Sequence, residues 1–192
     1  MKLWKYLKEN MTKSLTQTLE EGEAKLTYEY LLIFAEGLGQ RLSGTHYGIL
    51  CSSDFTSLMA LLACIYAERP AILLPMRHGI EPCYSLIERL KPPYIIHDTQ
   101  GEIQILCIEA QKDLSLCEQD IAVVIADADG GRTMLTQKDI LRYLEAEVSA
   151  RALSPAVQVT QSICTLDSPA SLLSLLLAVS EGRKIIFDRQ GA

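Results

Sequence analysis

Short, continuous apolar runs alternate along this chain with segments in which apolar residues recur every three or four positions. Continuous runs rich in β-branched residues are typical of buried strands, and the three-to-four spacing is typical of helices. Predicted strands are residues 47–51, 71–74, 94–97, 103–108, 121–126, 157–164 and 184–187, and predicted helices are 55–66, 80–90, a segment after Thr136 and 172–179. This alternation predicts an α/β fold, a layered sheet with flanking helices and right-handed crossovers.

The first 44 residues have a different pattern, which predicts a short helix, a hairpin and a longer helix. The opening helix is indicated by Leu3, Trp4 and Leu7, and the hairpin by residues 15–19 and 24–26 with Gly22 at the turn. Thr27 is a suitable cap for the longer helix. The apolar stripe of that helix and its predicted stop are Leu31, Ala35, Leu38, Leu42 and Gly44.

One stretch, residues 121–141, combines a buried strand, a turn with two adjacent glycines and a capped helix. Thr136 with Asp139 three positions later forms a capping-box pattern, and the helical stripe comprises Ile140, Leu141, Leu144 and Val148. Strand, glycine-rich turn and helix form the layout that many proteins use to bind phosphate. The layout alone therefore predicts a phosphate site.

The side chains of this turn argue against phosphate. A phosphate loop needs amide donors, hydroxyl groups and usually a lysine, whereas this turn carries Asp127 and Asp129, with Arg132 as its nearby cation. Two like charges about 4 Å apart repel by roughly 4 kcal/mol at an effective dielectric constant near 20. Facing carboxylates would therefore cancel the gain from several amide hydrogen bonds, unless a Mg²⁺ ion bridged them to the phosphate.

Length and charge restrict the class of protein. The 192 residues suffice for one domain with a substantial core. A net charge of −6 argues against nucleic acid or an anionic membrane as the main partner. The longest apolar run, residues 58–67, is far shorter than a membrane span, and the lysine-rich start has no signal-peptide core. We therefore expect a cytoplasmic protein.

Candidate metal ligands are scattered. The cysteines have no C-x-x-C spacing, and most lie in apolar runs where a reduced cysteine packs as a small apolar side chain; they are Cys51, Cys64, Cys83, Cys107, Cys117 and Cys164. His46, His78 and His97 are far apart and are expected at strand ends or on the surface. The sequence predicts neither a zinc site nor a disulfide framework.

Two further kinds of site, a metal-binding nucleotide-sugar motif and an EF-hand, also use aspartates in a loop. Residues 127–129 read Asp-Ala-Asp, the form of a metal-binding nucleotide-sugar motif, but three residues recur often by chance and aspartate favours turns without any ligand. An EF-hand is excluded because Lys138 stands where its glutamate should be. The chain also lacks the G-x-S-x-G elbow of serine hydrolases.

Several segments share an order and spacing with a known superfamily. Leu26, Thr27 and Tyr28 precede an apolar helix, residues 47–75 form a strand–helix–strand unit containing the sequence Ala-Cys-Ile-Tyr-Ala, and 121–141 and 168–187 follow. In this order they resemble the N-terminal part of the adenylate-forming superfamily. That superfamily includes acyl-CoA synthetases, fatty-acyl-AMP ligases, adenylation domains of nonribosomal peptide synthetases and luciferases.

The chain departs from the family pattern where catalysis is concerned. Residues 121–141 resemble the family's phosphate loop, T-S-G-T-T-G-x-P-K-G followed by T-H, but Asp127, Ala128 and Asp129 replace its hydroxyls. Gly130 and Gly131 preserve the glycine pair. The motif's lysine falls near Thr133 or Met134, Gln137 replaces its histidine, and Glu68 stands where a glycine is usual. The family's second half, with its hinge and catalytic lysine, has no counterpart here.

The resemblance implies one truncated adenylation-like domain, residues 1–192. Its expected parts are an N-terminal helix and hairpin (1–26), the first strand–helix repeats (27–120) and the degenerate phosphate-loop unit (121–192). We expect no catalytic residues, metal or cofactor, and a structural role in which a second copy, a synthetase subunit or a carrier protein binds the chain. The alternative is one chain of a split ligase, with ATP and Mg²⁺ bound near Asp127, Asp129, Gly130, Gly131 and Arg132.

Overall fold

A computed structural model describes residues 2–74, 80–99, 102–108, 120–126, 132–151, 161–163, 166 and 168–187. Its helices are α1 (Leu3–Met11), α2 (Tyr28–Gly39), α3 (Asp54–Tyr66), α4 (Ile80–Leu90), α5 (Gln137–Arg151) and α6 (Pro169–Ser180), with a 3₁₀ turn at Thr12–Ser14. Its strands are β1 (Thr18–Glu21), β2 (Ala24–Thr27), β3 (Tyr47–Leu50), β4 (Ala71–Leu73), β5 (Tyr94–Thr99), β6 (Glu102–Cys107), β7 (Ile121–Ala126), β8 (Arg132–Thr136), β9 (Gln161–Ile163) and β10 (Ile185–Phe187). The predicted α/β class is confirmed.

The chain divides into two compact units, each with its own sheet. The central unit comprises Ala35–Thr136, and the terminal unit comprises Met1–Phe34 with Gln137–Ala192. These limits differ from the expected internal parts, 1–26, 27–120 and 121–192. The assignment of the whole chain to a single truncated domain stays a prediction.

The central unit contains a six-stranded sheet in the order β6-β5-β3-β4-β7-β8. The four inner strands are parallel, whereas β6 and β8 run antiparallel to their neighbours. Residues Val123, Val124 and Ile96 of the inner strands are fully buried, as the continuous apolar runs predict. A cluster of Ile72, Leu74, Cys83, Ile121 and Val124, with Ile87 and Leu90 of α4 packed against it, forms part of the core.

Strand β8 contradicts the predicted strand–turn–helix layout. The segment before the helix pairs antiparallel with β7, from Ala126 opposite Arg132 to Ile121 opposite Thr136, and α5 begins only at Gln137. The prediction missed this strand because its first three residues are exposed and give no continuous apolar run. The turn therefore joins two strands, and five residues of strand, roughly 16 Å of chain, separate it from the helix. Strand β8, and not the N-terminus of α5, is therefore the next element after the turn.

The terminal unit contains a four-stranded sheet in the order β2-β1-β10-β9. The predicted hairpin is present, with Gly22 at a φ of 60°, although its first strand begins at Thr18 rather than at residue 15. Helices α1, α5 and α6 contact one another. The buried hydroxyl of Tyr28 donates to the carbonyl of Arg183 over 2.7 Å, which ties the start of α2 to the chain just after α6.

Helix starts follow the predicted caps. The Ser53 and Ser168 hydroxyls accept from the amides of Thr56 and Ser171, and Thr27 Oγ1 accepts from the amide of Tyr30. The predicted end of α2 is wrong, because the helix stops at Gly39, ahead of the expected stop at Gly44. The amides of Arg41 and Leu42 then donate to carbonyls three residues earlier, as in a 3₁₀ turn.

Two helices end in the same motif with different residues. After α6, Gly182 has a φ of 61°, and the amides of Gly182 and Arg183 donate to the carbonyls of Val179 and Ala178. After α3, Glu68 occupies the equivalent position with a φ of 55°, and the amides of Glu68 and Arg69 donate to Ile65 and Cys64. Both are Schellman motifs, in which glycine is favoured because a Cβ atom strains the left-handed backbone.

Glycine at position 68 should therefore give a more stable protein than alanine at the same position. Relative to Glu68→Ala, which removes the same side chain but keeps the Cβ atom, Glu68→Gly should raise the free energy of unfolding by about 1 kcal/mol. Urea denaturation of both variants measures the difference. Equal stability of the two variants would show that the left-handed backbone is not strained.

The two glycines of α2 should respond in opposite directions to alanine. A Cβ atom at Gly39 would lie 2.9 Å from the carbonyl oxygen of Ala63 and closer still to the Tyr66 ring, whereas one at Gly37 would meet nothing within 4 Å. Gly37→Ala should stabilise by about 1 kcal/mol through helix propensity. Gly39→Ala should destabilise by about 1–3 kcal/mol through overpacking. Shifts of the thermal midpoint in the same direction would contradict this account.

Candidate functional site

The carboxyl edge of the central sheet is the place where a ligand site is expected. Because β3, β4, β5 and β7 are parallel, their carboxyl ends meet at one edge, and in open α/β sheets ligands bind outside that edge. The chain after Ala126 leaves β7 there, and helix α3 begins there after β3. The end of β7 and the N-terminus of α3 thus belong to the same edge.

Asp98, near the end of β5, holds this edge together. Its Oδ1 accepts from the amide of Ser52 over 2.6 Å. Its Oδ2 accepts from the hydroxyls of Ser52 at 2.6 Å and Thr56 at 3.0 Å. Three hydrogen bonds to one carboxylate join the end of β5 to the segment that leads from β3 into α3.

The Asp98 carboxylate also places a negative charge beside the start of α3. Helix N-termini attract negative charge because their first amides have no partner within the helix and the dipole is positive there. At α3 the Ser53 hydroxyl caps the Thr56 amide, and the Asp98 carboxylate contacts Ser52 and Thr56. A carboxylate beside a helix start is favourable to the helix dipole and unfavourable to an additional anion at the same place.

Sequence reasoning found only half of this cluster. Ser52 and Ser53 are identified by their position before an apolar helix, but Asp98 gives no local signal because its partner Ser52 lies 46 positions away in the chain. The parallel pairing of β3 with β5, with Leu50 opposite His97, brings the two together. Only knowledge of that pairing could have predicted the contact.

The predicted phosphate-loop positions are mostly outside the described residues. Asp127, Asp129, Gly130 and Gly131 are in that group, as is the Asp-Ala-Asp motif. Arg132 is described: it is exposed, it is the first residue of β8 and it pairs with Ala126. The role of these five positions in binding a cofactor stays a prediction.

Three of the described cysteines, Cys51, Cys64 and Cys83, are buried and unreactive. Burial and, to a smaller extent, the nearby Asp98 carboxylate raise the pKa of the Cys51 thiol to about 12. Burial likewise raises the pKa values of Cys64 and Cys83, so these thiols are protonated at neutral pH and are poor nucleophiles. Cys107 is exposed. Among the described residues, no three histidine, cysteine or acidic side chains are grouped to hold a metal ion.

The histidines only partly match expectation. His46 immediately precedes β3 and is fully buried, with its Nδ1 atom 3.1 Å from the Thr45 hydroxyl, so it is a strand-end rather than a surface residue. His97 is half-buried within β5. His78 lies outside the described residues. None of the described helices is both long and apolar enough to cross a membrane, and the expected cytoplasmic location stays a prediction.

Comparison with known proteins identifies the fold. No protein-family model and no curated protein matches the sequence. Among solved structures, O-succinylbenzoate coenzyme A synthetase (MenE) from Bacillus subtilis, in complex with ATP and magnesium, has a TM-score of 0.69 at 16% identity, over 97% of this chain and 57% of that one. The chain has the fold of the adenylate-forming enzymes.

Two further structures support the same conclusion. A luciferase-like enzyme from the mealworm Zophobas morio covers this whole chain with a TM-score of 0.74 at 12% identity. CmiS6 covers 98% of it with a TM-score of 0.75 at 13% identity. The resemblance found in the sequence is confirmed for the fold. The chain spans about half the length of these structures, 55% of the mealworm enzyme and 53% of CmiS6.

Removing the Asp98 carboxylate should destabilise the central unit. Asp98→Ala removes the acceptor of the Ser52 amide and hydroxyl and one of the two acceptors of the Thr56 hydroxyl, whose other acceptor is the Ser53 carbonyl, and should lower the free energy of unfolding by about 1 kcal/mol. The matched control is Glu102→Ala, which removes an exposed carboxylate from neighbouring β6 and should change stability by less than about 0.5 kcal/mol. Equal urea midpoints for the two variants would show that the Asp98 cluster contributes nothing.

Proposed function

We propose that this chain is a catalytically inactive relative of the adenylate-forming ligases that works by binding another protein. The observation that carries the proposal is the charge at the carboxyl edge of the central sheet. Asp98 contacts the start of α3 there, and Asp127 and Asp129 replace the hydroxyls of the family's phosphate loop just beyond Ala126. Because a triphosphate needs donors and positive charge, these carboxylates support the proposal that the chain does not bind one.

The fold itself does not argue against nucleotide binding. MenE, with the same fold over this region, is solved with ATP and magnesium and also with an acyl-adenylate intermediate. The proposal therefore rests on the side chains of this chain, in keeping with the general rule that function depends on sites and not on folds. Two aspartates and a single arginine make a poor triphosphate site.

The proposed setting is an assembly line that makes a peptide, a polyketide or a lipid. There the chain would support a true ligase or bind a carrier protein, with a second copy as a further possible partner. A pure chain that is a stable monomer and binds neither carrier proteins nor ligases of such a pathway would contradict this role.

A second candidate function is one chain of a split ligase. It is favoured by the fold, since 97% of this chain superposes on MenE, whose structure contains ATP and magnesium. Under this alternative ATP and Mg²⁺ bind, with the ion bridging Asp127 or Asp129 to phosphate. Acyl-adenylate formation by the chain together with a polypeptide supplying the missing half would establish it.

Calorimetric titration with Mg·ATP separates the two functions. We expect no saturable heat at millimolar nucleotide, because the carboxylates repel the triphosphate. MenE measured under the same conditions is the positive control, since its structure contains ATP and magnesium. Saturable binding to this chain that is lost in an Asp127→Ala, Asp129→Ala double variant would favour the split ligase and a bridging metal ion.

A further inference from the structure

The four parallel strands of the central sheet begin at one edge, opposite the edge that contains Asp98. We call it the amino edge; it comprises the starts of β3, β4, β5 and β7 and the turns that lead into them. The turn from α3 to β4 contributes Arg69, and Tyr47 is the first residue of neighbouring β3. Tyr47 lies opposite Ala71, and its amide donates to the Pro70 carbonyl over 3.0 Å. The start of β3 is therefore beside the residue that follows Arg69.

Arg69 contains a buried donor that lacks an acceptor. The residue as a whole is half-buried, and its Nε atom is buried with no hydrogen-bond partner among the residues that the structure describes. Guanidinium groups removed from water are normally paired, because a buried charge or donor without a partner is costly. The Arg69 amide donates to the Cys64 carbonyl in the Schellman motif, which fixes the residue at this turn.

The Tyr47 hydroxyl is the second buried donor at the amino edge. Tyr47 is 1% exposed, and its hydroxyl oxygen accepts from the Gly44 amide over 2.6 Å. The O–H hydrogen of the same group has no acceptor within the described part of the chain. Burial raises the pKa of this hydroxyl most, whereas the positive charge of Arg69 is one of the groups that lower it. The hydroxyl is therefore protonated at neutral pH, and the guanidinium is near enough to interact with it.

The surroundings of Tyr47 fix the direction of its hydroxyl. The Tyr47 ring stacks on the Tyr94 ring, with the two centroids 5.3 Å apart. A Cβ atom at Gly44 would collide with the Tyr94 ring and would lie 2.9 Å from the Tyr47 oxygen, so only glycine leaves room for this arrangement. The donor is thus held in place before any ligand arrives, which lowers the entropic cost of binding.

We propose that Arg69 and Tyr47 form a binding site for a small oxyanion, a carboxylate or a phosphate, at the amino edge of the central sheet. Oxygens of the anion accept from the Arg69 Nε–H and from the Tyr47 hydroxyl, so that both buried donors gain an acceptor and the guanidinium gains a counter-charge. A polyanion suits the site less well, because the central unit has 13 acidic and 7 basic residues.

This inference goes beyond the proposed function, since the site is at the opposite edge of the sheet from Asp98. A buried water molecule is the alternative occupant, because water often satisfies isolated buried donors. Water offers two acceptor positions but no charge to balance the guanidinium. The two occupants differ in one measurable respect: only an oxyanion binds saturably as its concentration is raised.

Nuclear magnetic resonance of the arginine Nε–Hε groups in the whole chain tests the site. Acetate and phosphate are titrated separately at neutral pH, and sodium chloride at equal ionic strength is the reference. The Arg69 signal is identified as the one that disappears in Arg69→Lys. We expect this signal to shift saturably with at least one of the two anions and not with chloride. A response to acetate alone identifies a carboxylate ligand, and a response to phosphate alone identifies a phosphate.

Two conservative variants locate the binding. Tyr47→Phe keeps the ring stack and removes the hydroxyl, and should weaken anion binding by about tenfold, because one hydrogen bond to a charged group is lost. Arg69→Lys keeps the positive charge and removes the Nε donor. It should abolish the rise in thermal midpoint that the anion gives the wild-type chain relative to chloride. The matched control is Arg142→Lys, an exposed arginine of α5 in the terminal unit, which should leave both responses unchanged.

Three results would overturn the proposal. One is an Arg69 signal that neither acetate nor phosphate shifts, which would leave water as the occupant. Another is equal affinity of Tyr47→Phe and the wild-type chain. The third is an equal rise in thermal midpoint for Arg69→Lys and the wild-type chain, which would show a general salt effect. Nucleotide is absent from these titrations, so their outcome is independent of whether the chain binds Mg·ATP.

Discussion

Parallel pairing of four strands is the constraint on which the central unit depends. It requires strands with apolar residues on both faces, and crossover segments long enough to return the chain to the start of the next strand. It also brings all four carboxyl ends to one edge. Asp98, Ser52 and the chain beyond Ala126 reach that edge from different parts of the sequence. The chemistry proposed for this protein therefore follows from strand direction before it follows from any single motif.

Most elements could be predicted from the sequence because their signals are local. Residues 121–126 form a continuous apolar run, and Ser53 and Ser168 cap helices three residues ahead, so neither prediction needs tertiary contacts. Strand β8 was missed because an exposed edge strand carries no apolar run. The Asp98 cluster was missed for a different reason: a hydrogen bond between residues 46 positions apart depends on strand order, which one sequence does not specify. Of the candidate site, Arg132 alone is described, at the start of β8.

The fold of this chain persists at low sequence identity. Identity of 12–16% to the matched structures preserves the backbone over nearly the whole chain, since the buried pattern of strands and helices tolerates exchange among apolar residues. Ligand chemistry is less tolerant. In the proposed function, carboxylates in place of loop hydroxyls would oppose phosphate binding without any change to the surrounding sheet. Glu68 makes the same point for the backbone, since the left-handed turn after α3 persists without the glycine that it favours.

The sheet of the terminal unit has a consequence for biosynthesis. Strand β1 pairs with β10, so Leu19 lies opposite Ile185, 166 residues later. At about 5–20 residues per second, the ribosome needs roughly 8–33 s to make the intervening chain. Throughout that interval the β1–β2 hairpin has one strand edge without its native neighbour, and α1 lacks α5 and α6. Nascent chains of this protein therefore present an unpaired strand and the apolar side of α1 to chaperones, whereas the central unit is fully synthesised some fifty residues earlier.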